Sequence, residues 1–149
     1  MQISKVVASV LLGFSVGILA QQQQQQDICA GFRITSPTME RLRWTSGQCY
    51  QVSYDLASAL PFLKDGNNAN ISVDVYNAET NLKVSSVVVR ESANTFGGTK
   101  AFNLQVPVSG AYYYMVTLTI QGDNDVHCGP KRTVTFEVDV NPNSPPAQC

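Results

Sequence analysis

Apolar and polar residues alternate with period two along most of the chain, which is the pattern of strands with one buried face. In residues 111–121, for example, Tyr112, Tyr114 and Val116 fall on one face and Tyr113 and Met115 on the other. The same alternation recurs in six other segments, so the predicted strands are 32–36, 48–55, 70–77, 82–90, 100–106, 111–121 and 133–140.

Turn-forming residues separate these segments. They include Asp65-Gly66, Gly97-Gly98, Ser109-Gly110 and Gly122-Asp123, whose glycines and short polar side chains favour tight turns. Short strands at this spacing are typical of an Ig-like or fibronectin III-like antiparallel β-sandwich of about seven strands and about 110 residues. The sequence therefore predicts an all-β protein with one Ig-like β-sandwich domain over residues 32–140.

The two ends of the chain differ from this pattern. Residues 1–20 read as a secretory signal peptide, because Lys5 precedes an apolar run that ends at Ala20 and is too short for a membrane span. Residues 21–31 begin with a glutamine run and are expected to be a disordered Gln-rich segment. Residues 141–149 form a Pro-rich C-terminal tail without the hydrophobic stretch of a GPI signal. No second apolar run follows, so no transmembrane segment is expected.

The four cysteines predict two disulfides, because an even number in a secreted chain points to pairing. If the strands alternate up and down, Cys29 and Cys128 lie at one end of the sandwich, and Cys49 and Cys149 at the other. A strand of eight residues spans about 26 Å, far beyond the reach of a disulfide. The predicted pairs are therefore Cys29–Cys128 and Cys49–Cys149. An antibody-type bridge between Cys49 and Cys128 is the alternative, and no C-x-x-C spacing suggests a zinc site.

Composition and motifs argue against catalysis and against nucleic-acid binding. The net charge is −1 and charged residues make up 14% of the chain, so the basic footprint of a nucleic-acid binder is absent. His127 is the only histidine, no G-x-S-x-G elbow accompanies it, and no catalytic residue is assigned. Asp123 and Asp125 lack the further ligands of a calcium loop, so neither a metal nor a cofactor is expected.

Two positions are candidate sites for glycans. Asn70-Ile71-Ser72 is the only N-glycosylation sequon, and Asn70 must be exposed at the start of a strand if it is glycosylated. Tyr113 lies opposite its neighbours Tyr112 and Tyr114, and an exposed tyrosine on a Thr-rich face is a candidate to stack on sugar rings. Ordinary packing of the Tyr113 ring is the alternative.

One stretch near the start of the predicted domain carries a family resemblance. It contains an I-T-x-P strand, a tryptophan, a glycine and an alternating strand that ends in an aromatic, formed by Ile34, Thr35, Pro37, Trp44, Gly47, Val52 and Tyr54. This pattern resembles the N-terminal Ig-like domain of the fungal Knh-like family, and later strands match loosely over most of residues 32–140. The resemblance implies a secreted or wall-linked protein of the kind implicated in β-1,6-glucan assembly. The Ser/Thr-rich stalk of the GPI-anchored members is missing here.

These features together predict a secreted, non-catalytic fungal extracellular module at the cell surface or wall. Its expected partners are cell-wall glucan or wall proteins. Two alternatives stay open. One is a secreted ML-type lipid-binding β-sandwich, which would need an open apolar cavity between its sheets. The other is a secreted, effector-like protein-interaction domain.

Overall fold

The computed structural model describes residues 28–56, 69–93 and 96–149. These residues form nine strands, which are β1 Phe32–Ser36, β2 Arg43–Thr45, β3 Gln48–Leu56, β4 Ala69–Asn77, β5 Lys83–Ser92, β6 Gly97–Leu104, β7 Gly110–Ile120, β8 Val126–Arg132 and β9 Phe136–Asp139. None of the described residues is helical, so this part of the chain has no helix that could cross a membrane. The predicted signal peptide, residues 1–20, and the glutamine run lie outside the described residues.

The strands form two sheets. One has the order β1-β3-β6, and the other has the order β2-β9-β7-β4-β5, with β8 also paired to β7. Every pair is antiparallel except β2 with β9, which run parallel. The chain therefore changes sheet between β1 and β2, since β1 pairs with β3 whereas β2 joins the edge of the other sheet. The predicted all-β sandwich is confirmed.

The core lies between the two sheets and follows the predicted alternation. In β4, residues Ile71, Val73 and Val75 are fully buried, while the residues between them are half-buried on the opposite face. The largest fully buried side chains are Tyr112, Tyr114, Phe32, Phe136, Leu56 and Ile71. Burying such side chains contributes about 1.5–3 kcal/mol each relative to exposure, which makes this core the main source of stability.

Two of the nine strands were not predicted. β2 has only three residues, too few to show a period of two. β8 contains Gly129 and Pro130, which are unusual in strands and hide its pattern, and Cys128 lies on this strand. A Cβ on Gly129 would lie 2.8 Å from the main-chain oxygen of Val116, so the β7–β8 bulge at this point requires glycine. Pro130 is tolerated because β8 is paired only with β7.

The last strand begins later than predicted. β7 pairs first with β9 and then with β8, and Thr133 lies between these two partners. Its hydroxyl accepts a hydrogen bond from the Tyr114 amide at 2.9 Å, and its own amide donates to the Tyr114 carbonyl at 3.0 Å. This side-chain hydrogen bond interrupts the regular ladder, so β9 starts at Phe136 rather than at residue 133.

Both disulfides have the predicted pairing. Cys29 is bonded to Cys128 with Cα atoms 5.3 Å apart, and Cys49 is bonded to Cys149 with Cα atoms 5.4 Å apart. Within the predicted disordered segment 21–31, residues 28–31 instead form a turn in which the Phe32 amide donates to the Cys29 carbonyl, and residues 21–27 lie outside the described residues. Two disulfides fit a protein of an oxidising, extracellular compartment.

Candidate functional site

A largely apolar surface depression lies where the chain changes sheet. One wall is the segment 36–39 with Leu42 and Trp44, and the other is formed by Cys49, Tyr50 and Gln51 of β3 with Ala101 of β6. We call it the Trp44 groove. Its volume is about 460 Å³, which is within the usual range for sites that take small ligands or single groups of larger ones.

The groove exists because β1 covers only part of β3. Their register pairs Phe32 with Leu56 and ends with Ser36 opposite Ser53. Beyond this point the chain leaves the sheet, while β3 continues to Gln48 and pairs with β6 alone. Among the described residues, no strand therefore lies against β3 from Gln48 to Val52 on the β1 side. That uncovered edge is one border of the groove.

Trp44 lies on the side of the groove that faces the core of the sandwich. Its ring lies between those of Tyr50 and Phe136, with centroid distances of 4.4 and 4.2 Å. The Tyr50 hydroxyl accepts a hydrogen bond from the Thr45 amide at 2.7 Å, which holds the Tyr50 ring in place. Both faces of the indole are thus covered, and a ligand in the groove would meet its edge. The Trp44 side chain is half-buried.

The groove is uncharged and carries unused hydrogen-bonding groups. All of its lining residues are neutral. Neither the Trp44 indole N–H nor the Gln51 side-chain amide hydrogen-bonds to another described residue, and Gln51 is exposed. Met39 is 70% exposed and adds apolar surface at the rim. The groove can therefore bind a neutral group that offers both hydroxyls and apolar surface.

A buried phenol lies behind the groove. The Tyr114 ring is 6.0 Å from that of Trp44, and its hydroxyl makes no hydrogen bond with any described residue. Burial, and to a lesser extent the nearby Tyr50, raises the pKa of Tyr114 well above its ordinary value. The phenol therefore stays neutral at any physiological pH, and it acts as part of the core.

Tyr113 does not lie open on the sheet face, and this corrects the predicted glycan contact. Its ring is stacked against that of Tyr76 at 5.5 Å, and the Arg132 guanidinium lies 3.8 Å from its centroid. The Tyr113 hydroxyl donates to Oδ1 of Asn81 at 3.1 Å. Only 4% of the residue is exposed. Its side of the sheet was predicted correctly, but β8 supplies an arginine that covers it.

The other predicted positions lie apart from the groove. Asn70 is half-buried on the outer face of β4, opposite Ser92 and Thr119 of the flanking strands. Its glycosylation stays a prediction. His127 lies on β8 with Nδ1 3.1 Å from the Thr119 hydroxyl, and Asp125 lies 3.9 Å from Arg90. Over residues 28–56, 69–93 and 96–149, no three His, Cys, Asp or Glu side chains converge on a point that could hold a metal ion.

The architecture defines the class of protein. Two packed antiparallel sheets, with β1 and β2 divided between them and β2 parallel to the last strand, make an Ig-like β-sandwich.

The half-covered β3 and the half-buried Trp44 could not be predicted from the alternation, because each depends on where β1 separates from β3. No sequence pattern distinguished the exposed Met39 and Gln51 as residues of a groove.

Comparisons with known proteins find only distant similarity. No family model matches the chain, and no curated protein matches it. Among solved structures, the chain is similar to one in the complex of Dpr1 IG1 with DIP-eta IG1, with 12% identity and a TM-score of 0.29 over 74% of this chain and 95% of that one. It is also similar to the RIG-5 IG1 homodimer, with 16% identity and a TM-score of 0.30 over 75% of this chain and 99% of that one. At this distance neither likeness carries functional information.

Proposed function

We propose that this protein is a secreted, non-catalytic module of the fungal cell wall that binds neutral wall polysaccharide through the Trp44 groove. The observation that carries the proposal is the groove itself, which is uncharged and apolar and has unused amide and indole donors. The predicted export signal and the resemblance to the fungal Knh-like domain support the location. The two disulfides fit an extracellular setting.

A glucose polymer matches the chemistry of the groove. Sugar rings have neutral hydroxyls around their edges and apolar C–H faces, so they need hydrogen-bonding groups beside apolar side chains and no opposite charge. Gln51 can donate and accept, and the Trp44 indole can donate. Met39 and Leu42 supply the apolar contacts. Because the Trp44 faces are occupied, the proposed contact uses the edge of the ring and not a stacked sugar.

The lipid-carrier alternative finds less support. Such a protein needs a cavity between its sheets, whereas the interior here is filled by large side chains such as Phe32, Phe102 and Phe136. The aromatic rings also contact each other across the sandwich, as Phe102 and Tyr114 do at 5.3 Å. A protein partner has one specific observation in its favour, which is the uncovered edge of β3, since extended peptides can pair with such edges.

The deciding experiment is retention on insoluble wall glucan, with chitin as a second polymer. We expect the secreted protein to sediment with glucan, and Gln51→Ala to weaken binding about five- to tenfold through its lost hydrogen bonds. Gln121→Ala is the matched control, because Gln121 is also exposed but lies outside the groove. Trp44 is the only tryptophan, so its fluorescence should shift as soluble glucan fragments bind.

Three results would count against the proposal. Absence of retention on both polymers would remove the polysaccharide function. Equal weakening by Gln51→Ala and Gln121→Ala would remove the groove as its site. Inhibition of retention by an extended peptide, with no effect of glucan fragments, would instead favour a protein partner.

A further inference from the structure

The Pro-rich tail, residues 141–149, lies across the end of β3 and β6 as a strap. The Ala147 amide donates to the Gly47 carbonyl at 2.9 Å, and the Asn103 side-chain amide donates to the Ala147 carbonyl at 2.7 Å. The Gln48 side-chain amide donates to the Pro145 carbonyl at 2.8 Å. Proline has no amide hydrogen, so a strap that contains three prolines can form few backbone hydrogen bonds. The Gln48 side-chain amide also lies 3.4 Å from the Ser144 hydroxyl. These four hydrogen bonds and the Cys49–Cys149 disulfide hold the strap to the sandwich.

The two disulfides differ in how far they are shielded from solvent. Cys49 and Cys149 are both exposed. In the other bond, Cys128 is completely buried and Cys29 packs against the hydrophobic core. Thiol–disulfide exchange requires a thiolate to reach a sulfur atom, so an exposed disulfide is the more easily reduced. The sequence separations, 99 and 100 residues, are nearly equal, so loop entropy does not distinguish the two bonds.

The exposed disulfide borders one groove, and the strap that it anchors borders a second. Cys49 lines the Trp44 groove directly. On the other side, Ser144 and Pro146 of the strap form a wall of a second groove of about 630 Å³, whose opposite wall includes Val84 and Val106. Release of the strap would therefore remove one wall of the second groove. It would also free the Cys49 side chain, which lines the Trp44 groove.

We propose that the Cys49–Cys149 disulfide is redox-sensitive and that extracellular dithiols reduce it ahead of Cys29–Cys128. Its reduction releases the strap and alters the Trp44 groove. One thiolate of the dithiol attacks Sγ of Cys149, and Cys49 leaves as a thiolate. The second thiolate of the reagent then displaces Cys149. Two electrons and two protons pass from the dithiol to the protein, which leaves two cysteine thiols and one oxidised reagent.

The first test is timed reduction of the folded wild-type protein with dithiothreitol, followed by alkylation and peptide mapping. We expect Cys49 and Cys149 to be labelled at least about tenfold faster than Cys29 and Cys128. Equal rates, or earlier labelling of Cys29 and Cys128, would overturn the proposal. Because the protein is used as it exists, this test does not depend on whether a cysteine variant folds.

The second test measures release of the strap by hydrogen exchange. After selective reduction, the Ala147 amide should exchange at least about tenfold faster, because it loses its hydrogen bond to Gly47. The Cys49→Ser/Cys149→Ser double variant should show the same fast exchange without reductant. Amides of β4 and β7 are the internal reference and should not change. Unchanged exchange at Ala147 in the selectively reduced protein would show that the strap stays docked, which contradicts the proposal.

The third test concerns the groove and rests on the proposed function. Glucan retention is compared before and after selective reduction, and we expect it to change by about threefold or more. Oxidised protein that fails to bind glucan would contradict the proposed function, while the first two tests would still decide whether the strap opens. If the oxidised protein binds glucan and its retention is identical after selective reduction has released the strap, the proposed link between the Cys49–Cys149 disulfide and the groove is overturned.

Discussion

The phenol of Tyr112 donates a hydrogen bond to the main-chain carbonyl of Val108, four residues earlier, at 2.7 Å. Tyr112 lies near the start of β7, and Val108 lies in the connection from β6. This is the tyrosine corner found in many Ig-like sandwiches, where the hydroxyl fixes the chain as it crosses from one sheet to the other. Tyr112 is fully buried, so one side chain supplies core volume and also positions a loop.

Loss of this hydroxyl should destabilise the fold. We expect Tyr112→Phe to lower the free energy of unfolding by about 1 kcal/mol, because the ring still fills its space and only the hydrogen bond is lost. Urea denaturation gives the value. Tyr76→Phe is the matched control, since the structure shows ring stacking but no hydroxyl hydrogen bond for Tyr76 within the described residues. Equal losses in both variants would contradict the role of the corner.

Tyr114 should make the protein sensitive to alkali. Burial keeps the pKa of this phenol raised in the folded state, whereas in the unfolded chain it titrates near pH 10. Ionisation of this phenol therefore does not change the free energy of unfolding below about pH 10. Above that value the unfolded chain ionises first, and the free energy of unfolding falls by up to about 1.4 kcal/mol per pH unit. Denaturation at pH 8 and at pH 11 measures the loss.

The Tyr114→Phe variant isolates this effect. Near neutral pH it should be as stable as wild type or more stable by up to about 1 kcal/mol, because it removes a buried hydroxyl without a described partner. Between pH 8 and pH 11 it should lose less stability than wild type. The same alkaline loss in both proteins would mean that Tyr114 is not the responsible group.

Trp44 should be important for stability as well as for the groove. Trp44→Ala removes the ring that lies between Tyr50 and Phe136, and we expect a loss of about 2–4 kcal/mol. Trp44→Phe keeps part of the stacking and should lose less than half as much. Thermal unfolding followed by circular dichroism compares the two. A Trp44→Ala variant as stable as wild type would show that the aromatic stack does not hold the two sheets together.

Gly129 should not tolerate a side chain. Its φ of +96° is rarely adopted by L-residues with a Cβ, and a Cβ there would lie 2.8 Å from the oxygen of Val116. We expect Gly129→Ala to cost about 2 kcal/mol or more. Gly122→Ala is the control, since its Cβ would come no closer than 3.8 Å to another chain segment. Similar unfolding midpoints for the two variants would contradict the required bulge.

Glycosylation of Asn70 is tested by mass. Secreted protein should lose mass on treatment with an N-glycosidase, and the Asn70→Gln variant should be secreted at the treated mass. Unchanged mass after treatment would show that the sequon is not used.

Most strands could be predicted because alternation records which residues face the core. The pairs Ile71 and Val73 in β4, or Phe136 and Val138 in β9, are apolar for that reason. The disulfide pairing also followed, because strand length separates the two ends of a sandwich by more than a disulfide can span. β2 and β8 were missed, since one is too short for a period and the other contains Gly129 and Pro130.

The sequence alone thus determined the all-β class, the main strands and the cysteine partners, since each depends on local period or on distance along the chain. Only the tertiary structure decided which surfaces are open. Tyr113 is covered because Arg132, 19 positions later in the sequence, folds over its ring. The Trp44 groove is open because β1 separates from β3 after Ser36. Both depend on which segments meet in space, and alternation records only the face of a strand on which a residue lies.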